Sequence, residues 1–401
     1  MRSLPILLAG LMLSLQAMAQ PAPDTALSAR IERVVAQAIA EKRLVGAVVL
    51  VSRGGKLIHH QAAGFADREA GRPMQEDAIF RFASVTKPIV SAAAMKLVEE
   101  GKLRLDDPVT RFLPDFRPAL PDRTQPTITV RQLLTHTSGL SYRFFEPSGS
   151  AYHTLNVSDG MDQPGLSLKE NLRRLGQAPL GFAPGTKWSY SLGIDVLGGV
   201  LEVASGESLP AVVQRLVTRP LGMKDTGFAV ADSTRLAVPY ADGRPAPVKI
   251  TDDMAVPFGT GSVLFTPSRV LDPASFPSGG AGMVGTAGDL LRFLEAIRTG
   301  GAPILKRETV AAMMQDQVGV QAATQGPGWG FGYGWAVLDD PKAAATPQAR
   351  GTLQWGGAYG HSWFVDPTNE LIVVALTNTA FEGMAGPFVT QLRDAVYGTA
   401  R

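Results

Sequence analysis

Cysteine is absent from this 401-residue chain, and its absence excludes several kinds of protein. Without thiols the chain can hold neither a disulfide framework nor a cysteine-based zinc site. The histidines do not show the His-x-x-x-His or His-x-x-Glu-His spacing of zinc enzymes. They are His59, His60, His136, His153 and His361. We therefore expect a protein with no metal site and no cofactor.

An excess of charge of either sign is also absent. Lys and Arg total 38 against 36 Asp and Glu, and no basic run points to nucleic acid or to anionic lipid. Apolar residues make up 45% of the chain, so a large core is possible in one domain or in two closely packed lobes. The expected partner is a small molecule, and the composition does not specify an oligomeric state.

Residues 1–19 have the pattern of an export signal. Arg2 precedes an apolar run over residues 4–15, and residues 17–19 resemble a cleavage site, so we expect cleavage before Gln20. The apolar run is too short to span a bilayer, which argues against membrane insertion of the mature chain. An exported chain without cysteine suits the bacterial periplasm or secretion.

The ends of the chain differ from its middle. An amphipathic helix is predicted over residues 28–41, and a final helix over about 386–397. The middle third contains short helical segments separated by loops with Pro and Gly, which predicts a helical lobe inserted into one sheet. The strands predicted for that sheet are 46–51, 57–63, 363–365 and 371–376.

Two segments of the middle and last thirds stand out. Residues 141–165 are polar and aromatic without a clear period, so we expect a mobile flap over a site there. Thr286 and Asp289 form the pattern of a capping box, which predicts the start of another helix.

Ser84-Val85-Thr86-Lys87 is the most informative motif. Residues three apart on a helix share a face, so the Lys87 amine can reach the Ser84 hydroxyl and help to deprotonate it. Pro88 is tolerated only in a first turn, which places Ser84 at the start of a helix over residues 88–100. There the helix dipole stabilises developing negative charge. Taken alone, the motif is also compatible with a capping serine and a solvated lysine.

Two later motifs are candidates for the same site. Trp188-Ser189-Tyr190-Ser191 follows a Pro-Gly turn, and Tyr190 could carry a proton if a cation lay beside it. Residues 354–360 are rich in glycine, which lets a strand approach a ligand closely. The Ala358 N–H could then pair with that of Ser84 as an oxyanion hole. Each motif also has a purely structural interpretation. The first could be a buried aromatic pair, and the second a glycine-rich turn between strands.

Five motifs follow one another along the chain. They are Phe82-Ala83-Ser84-Val85-Thr86-Lys87, Leu133-Leu134-Thr135-His136-Thr137-Ser138-Gly139-Leu140, Tyr190-Ser191, Gly279-Gly280-Ala281-Gly282-Met283 and Trp355-Gly356-Gly357. In this order they resemble the class C β-lactamase-like serine hydrolases, and within them the family VIII carboxylesterases. The resemblance covers nearly the whole mature chain, residues 20–401.

The resemblance implies a fold and the position of the site. The fold is of the α+β class, of the β-lactamase/transpeptidase type, with an antiparallel sheet flanked by helices and an inserted all-helical lobe. We place the sheet lobe at about 26–80 and 280–401, and the helical lobe at about 81–279. The active site is expected in the groove between the two lobes.

The resemblance also implies a role for each residue of the site. Ser84 would be the nucleophile, Lys87 would hold and activate it, and Tyr190 would be the general base that later passes the proton to the leaving alcohol. The N–H groups of Ser84 and Ala358 would form the oxyanion hole. The implied function is that of a serine carboxylesterase, which acylates Ser84, releases an alcohol and hydrolyses the acyl-enzyme with water.

Two departures from the family pattern favour an ester substrate. Lactamases and penicillin-binding enzymes start the third motif with a lysine that holds a substrate carboxylate, whereas this chain has Trp355. Their tyrosine motif ends in asparagine, whereas this chain has Leu192. We therefore expect uncharged esters of short to medium chain length. The residues expected to line the substrate site are Trp188, Trp355, Gly356, Gly357, Tyr359, His361 and Trp363.

Several alternatives stay open. A β-lactamase or D-Ala-D-Ala-type peptidase would act on amides, and a penicillin-binding or sensor protein would stop at the acyl-enzyme. An α/β-hydrolase triad is disfavoured because the chain has no Gly-x-Ser-x-Gly motif. His361 could serve such a triad, but a wall donor or a structural hydrogen bond is the simpler interpretation. His136 is interpreted as a structural cap at a helix end.

Overall fold

The computed structural model describes residues 25–399, so the predicted export signal lies outside the described residues. The helices are α1 (Thr25–Ala40), α2 (Thr86–Glu99), α3 (Val130–Leu134), α4 (Ala151–Thr154), α5 (Leu168–Leu175), α6 (Gly193–Ser205), α7 (Leu209–Val213), α8 (Ala287–Arg298), α9 (Arg307–Met313), α10 (Ala380–Ala385) and α11 (Pro387–Tyr397). The strands are β1 (Gly46–Arg53), β2 (Lys56–Asp67), β3 (Arg72–Pro73), β4 (Phe80–Arg81), β5 (Tyr240–Ala241), β6 (Val248–Lys249), β7 (Met254–Phe258), β8 (Gly261–Phe265), β9 (Val284–Gly285), β10 (Trp329–Phe331), β11 (Ala336–Leu338), β12 (Leu353–Gly357), β13 (His361–Asp366) and β14 (Leu371–Thr377).

One antiparallel sheet organises the molecule, in the order β10-β11-β12-β13-β14-β1-β2-β3. Strand β1 from the start of the chain pairs with β14 near its end, and Val49 lies opposite Ala375. Gly54 and Gly55 have positive φ values of 56° and 76° and turn β1 into β2, as a tight hairpin requires. The prediction of one sheet assembled from both ends of the chain is confirmed.

Helices cover both faces of this sheet. Val49 and Val51 of β1 pack in a cluster with α1 and α11, whereas Val48 and Leu50 face the larger core on the other side. This alternation follows from the two-residue period of a strand, and residues 46–51 of β1 carry no polar side chain, as expected for a strand that is buried on both faces. Each such Val or Leu stabilises the fold by about 1.5–3 kcal/mol relative to an exposed side chain.

The inserted lobe lies between β4 and β9. It contains α2 to α7, as expected, but it also contains the hairpins β5–β6 and β7–β8, which the all-helical prediction did not include. Strand β7 was missed because Pro257 lies within it, and proline is unusual inside a sheet. The pairing of β4 with β9 joins the two ends of the insertion.

Residues 141–165 pack closely against the lobe. Tyr142, Phe144 and Tyr152 are buried, and Arg143 forms a buried ion pair of 2.6 Å with Asp162. The irregular sequence pattern therefore reflects a segment held by specific side chains rather than by a regular helix. The mobility expected for this segment stays a prediction.

Within residues 25–399, no single helix is long and apolar enough to cross a bilayer. Helix α6 and residues 209–218 pass that test only as a pair, with a bend of 81° between them.

His361 connects the sheet to the segment that precedes Ser84. Its Nε2–H donates a hydrogen bond of 2.7 Å to the carbonyl oxygen of Arg81, and the rings of Phe80 and Phe82 pack edge-on against it. The side chain is only 1% exposed. Burial lowers the pKa of His361 to about 4, so the ring is neutral near pH 7.

This buried ring predicts a loss of stability in acid. The pKa of His361 is about 4 in the folded protein against an ordinary value of 6.5, so between these pH values the unfolded chain binds a proton that the folded protein excludes. The contribution of His361 to the free energy of unfolding is therefore lost as the pH falls through this window. We expect the wild type to lose about 2 kcal/mol more than His361→Gln between pH 7 and pH 4.5.

Urea denaturation at the two pH values measures this difference. His153→Gln, which changes an exposed ring, is the matched control and should keep the wild-type pH dependence. The same pH dependence in the wild type and in His361→Gln would contradict the prediction.

Candidate active site

Ser84 lies where the chain enters the inserted lobe. It belongs to a short 3-10 turn, Ala83–Val85, that leads directly into α2. Ala83 has a φ of 44°, which is unusual for a residue with a side chain, and the side chain of Ala83 is fully buried. The turn therefore holds Ser84 at the head of a helix, as its sequence predicts, and leaves its hydroxyl partly accessible.

Three side chains from two parts of the lobe meet at this point. Lys87 Nζ donates to Ser84 Oγ at 3.2 Å, and the Tyr190 hydroxyl donates to the same oxygen at 2.5 Å. Lys87 is fully buried, whereas Ser84 and Tyr190 are partly exposed. A hydroxyl between an amine and a phenol has two proton-transfer partners within reach, which is the arrangement of an activated nucleophile.

The buried Lys87 amine has further partners. It donates to the carbonyl oxygen of Gly280 at 2.8 Å, and it lies 4.6 Å from the centroid of the Tyr190 ring and 5.3 Å from that of Tyr142. Carbonyl oxygens and aromatic faces both stabilise a cation that has lost its water. These contacts fix the amine beside Ser84.

Asp195 and Gly280 complete the surroundings of Lys87. Asp195, in α6, is 1% exposed and accepts a hydrogen bond of 2.5 Å from Ser278 Oγ. Burial raises the pKa of Asp195, while the bond from Ser278 and the charge of Lys87 act in the opposite direction. A Cβ on Gly280 would lie 2.3 Å from Asp195 Oδ2, so only glycine lets this backbone pass between α6 and Lys87.

His136 holds the loop that carries Tyr190. Its carbonyl oxygen accepts from the Ser189 N–H at 2.9 Å, and its Nδ1 accepts from the Ser191 N–H at 3.3 Å. The ring packs 4.9 Å from that of Tyr190. Burial and the nearby Lys87 hold the pKa of His136 well below its usual value, so the ring is neutral and can accept. The interpretation of His136 as structural fits these contacts, but its ring supports the loop that carries Tyr190 rather than the C-terminal end of α3, where Thr135 is the C-cap residue.

The end of β12 approaches Ser84 from the sheet side. A Cβ on Gly357 would lie 2.2 Å from the carbonyl oxygen of Phe82, so a side chain at this position would push the strand away from the segment before Ser84. Ala358 follows directly and lines the cleft. Within residues 25–399, neither the Ser84 N–H nor the Ala358 N–H has a hydrogen-bond acceptor. Both donors are thus available to a ligand, and their role as an oxyanion hole stays a prediction.

Ser84 opens into a cleft of about 790 Å³. Of the predicted substrate residues, the cleft contains Trp188, Trp355, Gly356 and Trp363. The Trp355 ring packs 5.3 Å from that of Tyr190, so it forms the wall directly beside the reacting groups. The aromatic side chains lining the cleft are Tyr142, Phe144, Phe145, Trp188, Tyr190, Phe258, Trp329, Trp355, Trp363, Phe364 and Phe381.

Three predicted substrate residues are not among the described residues that line the cleft. Gly357 faces Phe82, Tyr359 packs against the buried Phe265 at 4.8 Å, and His361 is engaged with Arg81. These predictions were wrong because alternate residues of a strand and its turn point to opposite sides. Leu192 is likewise fully buried outside the cleft, so it contributes no apolar surface to the site.

Several residues that support the site were not predicted from the sequence. Tyr142 lies beside Lys87 and Tyr190, and its pKa is raised well above the usual value by burial and by its neighbours, so it stays a neutral phenol. Asp195 could have been found as the single carboxylate in the apolar first half of α6. No local signal marks Gly280 as the carbonyl partner of Lys87. Within residues 25–399 no group of three His, Asp or Glu side chains is placed to hold a metal ion.

Known proteins match this geometry and sequence. Esterase EstB of Burkholderia gladioli is 58% identical over 375 residues, which cover 92% of this chain and 95% of that esterase. The solved structure of EstCE1, a hydrolase with promiscuous acyltransferase activity, is 52% identical with a TM-score of 0.91, and covers 94% of this chain and 99% of EstCE1. Simvastatin synthase (LovD) from Aspergillus terreus has the same fold, with a TM-score of 0.74 at 23% identity over 93% and 98% of the two chains.

The family model described as Beta-lactamase matches residues 31–397. This range contains every segment that builds the cleft, from the turn at Ser84 to the sheet strand that ends at Gly357. The fold and the resemblance inferred from the five motifs are confirmed. The chain belongs to the beta-lactamase family.

Proposed function

We propose that this protein is a serine carboxylesterase that hydrolyses short- to medium-chain esters through an acyl-enzyme on Ser84. The observation that carries the proposal is the convergence of Lys87 and Tyr190 on the Ser84 hydroxyl, at 3.2 and 2.5 Å, at the base of an aromatic cleft. The 58% identity to a protein named as an esterase supports the same reaction class. Export through residues 1–19 would place the activity in the periplasm or outside the cell.

Acylation uses the two partners of Ser84. For acylation, Tyr190 must first lose its hydroxyl proton to solvent and become a phenolate beside the Lys87 amine. The Ser84 Oγ–H then donates to that phenolate oxygen, which takes the proton as Oγ attacks the ester carbonyl, and Lys87 holds Oγ in position. The carbonyl oxygen becomes negative and accepts hydrogen bonds from the N–H groups of Ser84 and Ala358. The C–O bond to the alcohol then breaks, and the proton held by Tyr190 passes to the leaving alkoxide, which departs as an alcohol.

Deacylation repeats the sequence with water. Tyr190 takes a proton from a water molecule that attacks the acyl carbonyl, and the same two N–H groups stabilise the second tetrahedral intermediate. The bond to Ser84 Oγ breaks, the proton returns to Oγ, and the carboxylic acid leaves. Lys87 stays anchored to Gly280 throughout, so the amine acts from a fixed position.

The cleft wall supports a proposed preference for esters over lactams. At the start of the third motif, Trp355 places an indole beside Tyr190 where a lysine would bind a substrate carboxylate. A neutral aromatic wall favours uncharged apolar acyl groups and offers no compensation for the desolvation of an anion. A penicillin-type substrate would therefore lose the charge contact on which its orientation depends.

Removal of the nucleophile is the first test. We expect Ser84→Ala to abolish hydrolysis of p-nitrophenyl butyrate, because no other group can form the acyl-enzyme. Circular dichroism and thermal unfolding should show an intact fold, since one small hydroxyl is removed. Labelling by a phosphonate, followed by peptide mass mapping, should modify only the peptide with Ser84 in the wild type. Wild-type turnover by Ser84→Ala would overturn the proposal.

Lys87 and Tyr190 are tested separately. Tyr190→Phe removes the proton carrier but keeps the ring contacts with Trp355 and His136, so kcat should fall by about a hundred- to ten-thousand-fold. Lys87→Ala should reduce kcat to a similar extent. Tyr397→Phe, which removes a hydroxyl bonded to Asp366 far along the chain in α11, is the matched control and should retain activity. Unchanged kcat in Tyr190→Phe would exclude this residue as the base.

A substrate panel distinguishes the esterase from its alternatives. We expect kcat/KM for p-nitrophenyl butyrate to exceed that for nitrocefin and for a D-Ala-D-Ala peptide by at least about a hundredfold, because the site lacks the carboxylate-binding lysine. Steady-state turnover after any initial burst is expected for the ester. Faster hydrolysis of nitrocefin would favour a lactamase, and a burst without turnover would favour a penicillin-binding sensor.

A further inference from the structure

Three phenylalanines from separate segments form an aromatic rim on the cleft. They are Phe145 in the turn Arg143–Phe145, Phe258 at the end of β7 and Phe381 in the first turn of α10, and all three line the cleft. Their rings are 6.5 Å apart for Phe145 and Phe258, and 4.6 Å apart for Phe258 and Phe381. Phe145 is 49% exposed, so the rim presents open apolar surface to solvent.

Backbone contacts hold the rim in place. Gly261 is the first residue of β8, and a Cβ on it would lie 2.3 Å from the carbonyl oxygen of Phe144. The β7–β8 hairpin therefore packs directly against the turn that carries Phe145. On the other side, Asp242 accepts the N–H groups of Phe381 and Glu382 at 2.8 and 2.7 Å. The three rings are therefore positioned before any ligand arrives, which lowers the entropy cost of binding to them.

A continuous row of rings leads from the rim to the catalytic tyrosine. Phe145 lies 4.5 Å from Phe144, Phe144 stacks on Tyr142 at 4.7 Å, and Tyr142 lies 5.0 Å from Tyr190. The reacting carbonyl must sit beside Ser84, which bonds to Tyr190. Only a substituent that extends well beyond the ester group can therefore reach the rim, and Tyr142 and Phe144 line the cleft between the rim and Tyr190.

We propose that the rim binds a bulky apolar group at the end of the substrate remote from the reacting carbonyl, so that the enzyme selects esters that carry one large apolar substituent, such as an aryl group. This inference rests on the proposed esterase function and deepens it, because it adds the substituent to the substrate class. Contiguous exposed apolar patches mark ligand-binding grooves and other interaction sites, and ring–ring contacts add to the gain from buried area. A short aliphatic ester would leave the rim uncovered.

The test compares substrates that differ by one phenyl group on either side of the ester. In the alcohol arm, 2-phenylethyl butyrate is compared with ethyl butyrate, and in the acyl arm ethyl 4-phenylbutyrate is compared with ethyl butyrate. In at least one arm the wild type should prefer the phenyl substrate by about tenfold or more in kcat/KM. Phe145→Ser should lower that ratio by about tenfold, mainly through KM. The arm that responds identifies the side of the substrate that faces the rim.

Two further variants make the result specific. Phe145→Tyr keeps the ring and should restore most of the ratio. Val203→Ser removes an equally exposed apolar side chain (54% exposed) on α6, away from the cleft, and should keep the wild-type ratio. The ratio compares kcat/KM for two substrates of the same variant. A smaller fraction of folded enzyme lowers both values equally, so it does not change the ratio.

The outcomes separate this inference from the function on which it rests. If the wild type hydrolyses none of the three esters, the proposed function fails. If the wild type hydrolyses them but shows no preference for a phenyl group in either arm, or if Phe145→Ser keeps the preference, the rim is not a substrate site and the inference is overturned. Competitive inhibition by 2-phenylethanol provides an independent readout, and its inhibition constant should rise about tenfold in Phe145→Ser if the alcohol arm responds.

Discussion

The burial of the Lys87 amine is the constraint on which this site depends. An amine removed from water is costly unless hydrogen bonds and opposing charges replace the water, and Lys87 is fully buried. Its replacements are the Ser84 hydroxyl, the Gly280 carbonyl and the faces of two tyrosines. Each of these groups comes from a different segment, so a stable position for the amine requires that all of them are in place.

That requirement explains features of the chain that have no chemical role of their own. Glycine at 279 and 280 lets the backbone approach α6, because a Cβ on Gly279 would lie 2.5 Å from the carbonyl oxygen of Ile194. The Asp195 carboxyl interacts electrostatically with Lys87, and His136 holds the loop that carries Tyr190. Two residues of the sheet contact the segment before Ser84. Gly357 in β12 approaches the Phe82 carbonyl closely, and His361 in β13 bonds to the Arg81 carbonyl. Much of the sequence outside the reacting groups therefore serves to position them.

Sequence patterns predicted the parts of this arrangement that are local or periodic. The hairpin β1–β2, the helix after Ser84 and the final strand pair follow from alternation and from Pro and Gly positions. The meeting of Ser84, Lys87 and Tyr190 follows from ordered motifs, and their catalytic roles stay predictions. Contacts between distant segments were not predictable in the same way. The Gly280 carbonyl and the His136 ring act through placement in the fold, and a single sequence does not reveal which backbone atom will meet which side chain. The orientations of Tyr359, in the turn after β12, and of His361, at the start of β13, were not predicted for the same reason. Which side of the sheet a side chain faces depends on the register of the strands.

Trp355 shows how specificity and catalysis are combined on one side chain. Its ring contacts Tyr190 at 5.3 Å and Phe331 at 5.2 Å, so it packs the catalytic tyrosine as well as forming the cleft wall. A lysine at this position could hold a substrate carboxylate, but it could not provide the same flat apolar contact, and it would add a second cation to a site that already buries one. Under the proposed function, an indole in place of a cation removes a contact for a substrate carboxylate and avoids a second cation beside Lys87. The aromatic wall continues from Tyr190 through Tyr142 and Phe144 to the rim, so apolar groups line the cleft from Ser84 outward.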